Sequence, residues 1–170
     1  MKKLSIILIL GWLFFSCNPD NEELYTGNTL TYELYSASDY NYTGSLTIKE
    51  LANKDLEFNL KLNGAKSDAA YLFPAHLHFG AYDQPEAAIA HLLSPIDIRT
   101  LSSTTVIRSL TDGQKLTFAD LANLDAHVKV HLADSGPDYQ VILSAGNIGK
   151  NDNSVETFQK SMITVCSPNY

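Results

Sequence analysis

Histidine is the residue type in this 170-residue chain whose spacing most suggests chemistry, and there are five of them. His76 and His78 lie two apart in Phe73-Pro-Ala-His-Leu-His-Phe-Gly-Ala81. On a β-strand side chains alternate, so Ala75, Leu77 and Phe79 share one face and the two histidines share the other. Their Cα atoms are then about 6.5 to 7 Å apart, and rings of that reach can converge on one ion. Imidazole suits copper, zinc or nickel. A second block, Ala126-His-Val-Lys-Val-His-Leu132, repeats the pattern: Ala126, Val128, Val130 and Leu132 face the core, and His127, Lys129 and His131 face away. His127 and His131 are four apart, about 13 Å along a strand, too far to share an ion without a bulge. At most one of them joins the first pair, and the fifth histidine, His91, could complete a site from its own segment. No carboxylate or thiolate stands near the pair, which places copper ahead of zinc. The competing reading is bland: a histidine on the polar face of a strand is usually exposed, with a pKa of roughly 6.5.

Other chemistries find little support. The chain has no Gly-x-Ser-x-Gly nucleophile elbow, no phosphate-cradling Gly-Lys-Ser/Thr loop, no Cys-x-x-Cys and no His-Glu-x-x-His. Asp134 and Asp138 flank a turn after His131 and read as a solvated loop before they read as an acidic rim. Tyr32, Tyr35, Tyr40 and Tyr42 read as packing residues before a carbohydrate platform. The formal charge is −7, and loss of Lys2 and Lys3 with a leader would leave 10 basic against 19 acidic residues, or −9. That balance argues against nucleic acid as a partner.

The elements that must position the histidines follow in order. Met1-Lys-Lys and the apolar run Leu4 to Phe15 have the layout of an export signal and are short for a membrane span. Phe14-Phe-Ser-Cys17 resembles a bacterial lipobox, so residues 1–16 read as a lipoprotein signal peptide with Cys17 as the lipidated N-terminus. Residues 17–26 read as an acidic, flexible stalk. Strands are expected over 29–35, 42–51, 56–62, 73–81, 104–110, 126–132 and 139–145, with an edge strand over 162–165. Leu56, Phe58, Leu60 and Leu62 alternate cleanly with polar neighbours. Residues 83–94 read as a loop with one or two turns of helix, and Thr117-Phe-Ala-Asp120 as a capping box. Seven or eight short strands without a long helical period point to a single all-β domain over 27–170, an antiparallel, Greek-key-like β-sandwich.

Two blocks carry a family resemblance. Leu72-Phe-Pro-Ala-His-Leu-His-Phe-Gly80 resembles the Ala-His-x-His-Gly block of the CHRD (chordin-type) domain. Leu116 to Leu132 resembles that domain's later block, in which a Tyr-Val-Asn-Val-His-Thr strand precedes a Pro/Gly turn. The same blocks are similar, more distantly, to the copper/zinc superoxide dismutase β-sandwich, where a His-x-His strand and a distant Val-Val-His strand supply copper ligands. The resemblance spans roughly residues 44 to 150 and selects His131 over His127. The implied set is His76, His78 and His131, with His91 optional, holding copper or zinc. The chain departs from the dismutase in lacking its His-rich zinc loop, its anion-guiding Arg and its intramolecular disulfide, with Cys166 left single once Cys17 carries lipid.

The sequence therefore leads to an acyl-anchored lipoprotein of the cell envelope, at the outer membrane or cell surface. Its domain is expected to act as a binding module toward an envelope protein or glycan, rather than as an enzyme. A copper-binding, dismutase-like protein is the alternative.

Overall fold

Alternation of apolar and polar residues dictates most of the structure. A computed structural model describes residues 24–165; residues 1–16, read as a signal peptide, Cys17, most of the segment read as a stalk, and Cys166 lie outside the described residues. Eight antiparallel strands form: β1 (Tyr25–Ser36), β2 (Thr43–Leu51), β3 (Leu56–Asn63), β4 (Leu72–Phe79), β5 (Ile89–Asp97), β6 (Ser102–Ile107), β7 (Asp125–His131) and β8 (Ile142–Gly149). In β3 the alternation is explicit, with Leu56, Phe58, Leu60 and Leu62 buried between more open Glu57, Asn59 and Lys61. β1 begins at Tyr25, so the last two residues expected to be stalk are strand, and the Thr26 hydroxyl donates to the Glu50 carboxylate at 2.7 Å.

The strands close into a barrel in the order β1-β2-β3-β6-β5-β4-β7-β8. Neighbours β3–β6 and β4–β7 are the displaced pairings of a Greek-key arrangement. The expected all-β, antiparallel class is what forms, but the sandwich is corrected to a closed barrel. The physical difference is small. β1 meets β8 only at Tyr35–Ala145 and Ser36–Ser144, and β5 meets β6 at Asp97–Ser102. Those short seams join two four-stranded halves, β1-β2-β3-β6 and β5-β4-β7-β8, whose inner faces share one core. Leu46, Ile48, Phe58 and Leu60 of the first half pack with Ala75, Leu77, Val128 and Val130 of the second.

Two further local expectations are overturned. Residues 89–94, read within a loop with some helix, belong to strand β5, because Ala90, Leu93 and Ile96 bury against the core and the backbone pairs with β4. A helix there would leave the β4 edge unpaired. Residues 162–165 add no edge strand; a 3-10 turn covers Lys160–Met162, and residues 163–165, the last of the described residues, are not strand. The capping box does form: the Asp120 carboxylate accepts from the Thr117 backbone N–H at 3.0 Å and from its hydroxyl at 2.6 Å, opening a 3-10 helix over Phe118–Asn123.

The outer face of β4, β7 and β8 is also covered. Tyr82 donates its hydroxyl to the Thr157 carbonyl at 3.3 Å, and its ring packs on Phe158 at 5.1 Å. Thr164 donates its hydroxyl to the Gln84 carbonyl at 2.6 Å and takes a 2.7 Å bond from the Lys129 ammonium on its own carbonyl. The segments 80–88, 136–140 and 150–165 thus lie over this sheet face and make a second interior.

Candidate metal centre

That second interior holds the histidines. His76 is 5% exposed, and His78, His127, Lys129 and His131 are 0% exposed, so the expectation of open, solvated imidazoles on this face is overturned. The register explains the placement. On adjacent strands β4 and β7, His76 stands opposite Lys129 and His78 opposite His127. His131 lies two residues further along, the diagonal neighbour of His76, and cross-strand diagonals remain within reach of long side chains. The ring centroids of His76 and His131 are 5.0 Å apart, and those of His76 and His78 are 5.7 Å apart.

One ring nitrogen from each of His76, His78 and His131 lies within 4.8 Å of the other two. Among the described residues no Asp, Glu or Cys side chain joins them. Ligand bonds of about 2 Å put nitrogens roughly 3.3 to 3.5 Å apart, so closing the three rings on an ion takes about 1 Å of side-chain movement. The tautomers suit that role. His78 Nδ1 is 3.0 Å from the Ala87 carbonyl and His131 Nδ1 is 2.9 Å from the Tyr139 carbonyl. A carbonyl only accepts, so each Nδ1 carries the proton and each Nε2 keeps its lone pair. Backbone carbonyls that orient a ring through its far nitrogen are the usual second partner of a metal-ligating histidine. His131 Nε2 is buried with no hydrogen-bond partner among the described residues. A buried orphan of this kind is costly unless something binds it.

Burial holds all three rings neutral. It pushes the pKa of His76 down to about 4 and is the largest cause of the fall to about 3 at His78 and at His131. At neutral pH no proton competes for the lone pairs.

The remaining predicted residues separate cleanly. His127 does not join the three. Its ring stacks on His78 at 5.0 Å and 11°, its Nδ1 donates to the Gly80 carbonyl at 2.7 Å, and burial takes its pKa to about 3. His91 sits half-buried on β5 opposite Leu77 and is not brought to the site. Asp134 and Asp138 are exposed, as the solvated-loop reading expected. Asp134 also lines a cleft of about 430 Å³ with Tyr71, Leu72, Pro74, Leu92 and Pro95, and His76 reaches that cleft from the inside.

Tyr139 is a site residue that the sequence did not disclose. It lies on the 3-10 turn Pro137–Gln140 rather than at the start of a strand, and its ring stacks on His131 at 4.4 Å and 10°. Its backbone therefore orients the same imidazole that its side chain covers. Only the Gly136-Pro137 turn signal hinted that the chain folds back there. In comparisons with known proteins, no family model, curated protein or solved structure matches this chain.

Proposed function

We propose that this domain is a metal-binding module whose centre is His76, His78 and His131, with copper as the ion. The observation that carries the reading is the convergence of three buried, neutral imidazoles with ligand atoms within 4.8 Å of one another. Two of them are oriented through Nδ1 by backbone carbonyls. Copper accepts all-imidazole donor sets, while a preference for a harder divalent ion would call for carboxylates, and none joins the cluster among the described residues. When bound, copper would supply a redox-active or storage centre; the chain's own residues orient the rings, exclude water and keep protons off the lone pairs.

The fold supports the same proposal. His-x-His on β4 beside a histidine-ended β7, in an eight-stranded antiparallel barrel, is compatible with a CHRD-like or dismutase-like domain. We also propose that the domain is exported and acyl-anchored at Cys17 in the cell envelope, on the strength of the signal-like run that precedes that cysteine. A second reading, an interaction module, draws on the cleft: Tyr71, Leu72 and Leu92 are 40%, 52% and 57% exposed around it.

The test is metal titration of the purified chain beside His76→Ala/His78→Ala. One equivalent of copper bound by the parent and lost in the variant is the expected result. Equal, non-stoichiometric uptake by both proteins sinks the metal reading and leaves the cleft as the functional surface.

A further inference from the structure

We infer that strand β1 is a pairing edge through which two copies of this chain join, antiparallel, about a two-fold axis at Leu30. The inference stands apart from the metal reading and rests on which way the backbone of β1 points.

In an antiparallel ladder the N–H and C=O groups of successive residues turn to opposite sides of the strand. The Ala37 N–H donates to the Leu143 carbonyl at 3.0 Å, Tyr35 pairs with Ala145 of β8, and the Glu33 carbonyl accepts from the Asn153 side chain at 2.9 Å. Residues 33, 35 and 37 therefore turn their backbone groups away from β2. The register with β2 is unbroken from Thr29 to Leu34, so Thr29 and Thr31 turn theirs the same way. β8 has left β1 by then, since the two pair at Tyr35 and Ser36. Among the described residues no hydrogen bond reaches the N–H or C=O of Thr29 or Thr31 on that side. Both residues are exposed.

Elsewhere the barrel caps loose strand edges with side chains. The Thr105 hydroxyl accepts from the Ser94 N–H at 2.7 Å, the Thr111 hydroxyl donates to the Ile89 carbonyl at 2.6 Å, and the Asn153 side chain accepts from the Asn147 N–H at 2.8 Å. On β1 that cover stops at Glu33. Gly27-Asn-Thr-Leu-Thr-Tyr32 also holds none of the charges or prolines that usually guard an edge. Its β-branched and aromatic residues favour strand pairing.

The occupant that fits is a second copy. With the axis at Leu30, Thr29 lies opposite Thr31 of the second copy and Thr31 opposite its Thr29. Each of their N–H groups then meets a carbonyl, and threonine pairs suit facing positions on the outer face. Leu30, half-buried against the core, meets Leu30 of the second copy on the inner face, and Tyr32 meets Asn28. Glu33 falls opposite Gly27, so no like charges face each other. Contact along so short a stretch buries less than about 1,200 Å², which makes the dimer weak and concentration-dependent.

The experiment is sedimentation equilibrium of the full chain in mild detergent over a range of concentrations, with amide exchange read by NMR at both ends of the range. The average mass should rise toward twice the monomer's, and the Thr29 and Thr31 amides should exchange at least threefold more slowly at the high end. Thr29→Lys/Thr31→Lys, at two exposed positions, sets lysine opposite lysine and should weaken association at least tenfold. Thr31→Pro removes an outward N–H without breaking the ladder to β2 and should do the same. All variants are full chains, so any association through the apolar run Leu4 to Phe15 is common to them. A parent that stays monomeric overturns the inference; if an added alternating Thr-Val peptide then slows the same amides, the edge takes a foreign strand instead. Association that the lysine variant leaves unchanged overturns it too. So does protection of Thr29 and Thr31 that is independent of concentration, because the edge would then be paired within one copy.

Discussion

Lowering the pH from 7.5 to 5.5 perturbs four buried histidines at once, and the size of the effect follows from their burial. In the unfolded chain His76, His78, His127 and His131 titrate near the ordinary value of about 6.5. In the folded protein burial holds them at about 4, 3, 3 and 3. The folded pKa is the lower one, so between those values the unfolded state binds more protons and stability falls as the pH falls. Their full contribution is present above pH 6.5 or so and is lost progressively until the folded values are reached. At pH 5.5 each histidine has released about 1.4 kcal/mol of protonation free energy in the unfolded state and almost none in the folded one. Four of them remove about 5 to 6 kcal/mol, comparable to the whole stability of an ordinary domain. The carboxylates contribute in a different window, because Glu50, Asp97, Asp120 and Asp125 all have pKa values lowered from 4.5 or 3.8 by their hydrogen-bonding partners. The assay is urea unfolding of metal-free protein at pH 7.5, 6.5 and 5.5, followed by circular dichroism and tyrosine fluorescence. His127→Asn, which removes one of the four titrating groups and leaves His76, His78 and His131 unsubstituted, should reduce the pH dependence by about a quarter. A change below about 1 kcal/mol across the window in the parent protein would refute the reasoning, since it would mean that these rings reach water and protonate in place.

Copper should protect against the same acid transition, because metal and protons compete for the same lone pairs; the unfolding midpoint of loaded protein should move to lower pH, read by the same dichroism signal. His91→Ala should leave copper affinity within about threefold, whereas alanine at His76, His78 or His131 should lower it at least 100-fold, both measured by chelator competition. Tyr139→Leu keeps the backbone carbonyl that orients His131 but removes the ring stacked on it; copper affinity should fall about tenfold, with a changed spectrum at the metal. Gly149→Ala should destabilise the domain by more than about 2 kcal/mol in urea unfolding, because Gly149 has φ 72° and an added Cβ would collide with the Leu124 carbonyl oxygen.

Much of the fold was legible in local pattern. Alternation over Leu56 to Leu62 and over both histidine blocks requires strands with one face in a core, because a period of two has no other low-energy solution. The same period put His76 and His78 on one face, and strand rise alone excluded a site holding both His127 and His131. Residues 89–94 were misread because Ala-Ala-Ile-Ala-His-Leu-Leu carries no strict alternation. Their state was decided by the open edge of β4 and by the places for Ala90, Leu93 and Ile96 in the core. Barrel closure was equally invisible, since it depends on three residue pairs at strand ends, Tyr35–Ala145, Ser36–Ser144 and Asp97–Ser102.

Sequence alone therefore determined an all-β chain with four of its five histidines on the faces turned away from the core. Tertiary structure decided that those faces are interior as well. The cover comes from Gly80 to Ala88, from the turn bearing Tyr139, and from the polar stretch ending at Thr164, and none of these has a periodic signal. They pack there because backbone carbonyls of Gly80, Ala87 and Tyr139 find ring N–H donors and the Thr164 carbonyl finds an ammonium. Such hydrogen bonds join residues whose partners the linear chain does not mark. The burial they produce turns three ordinary surface histidines into neutral, oriented ligands, and that change of environment is a property of the folded molecule alone.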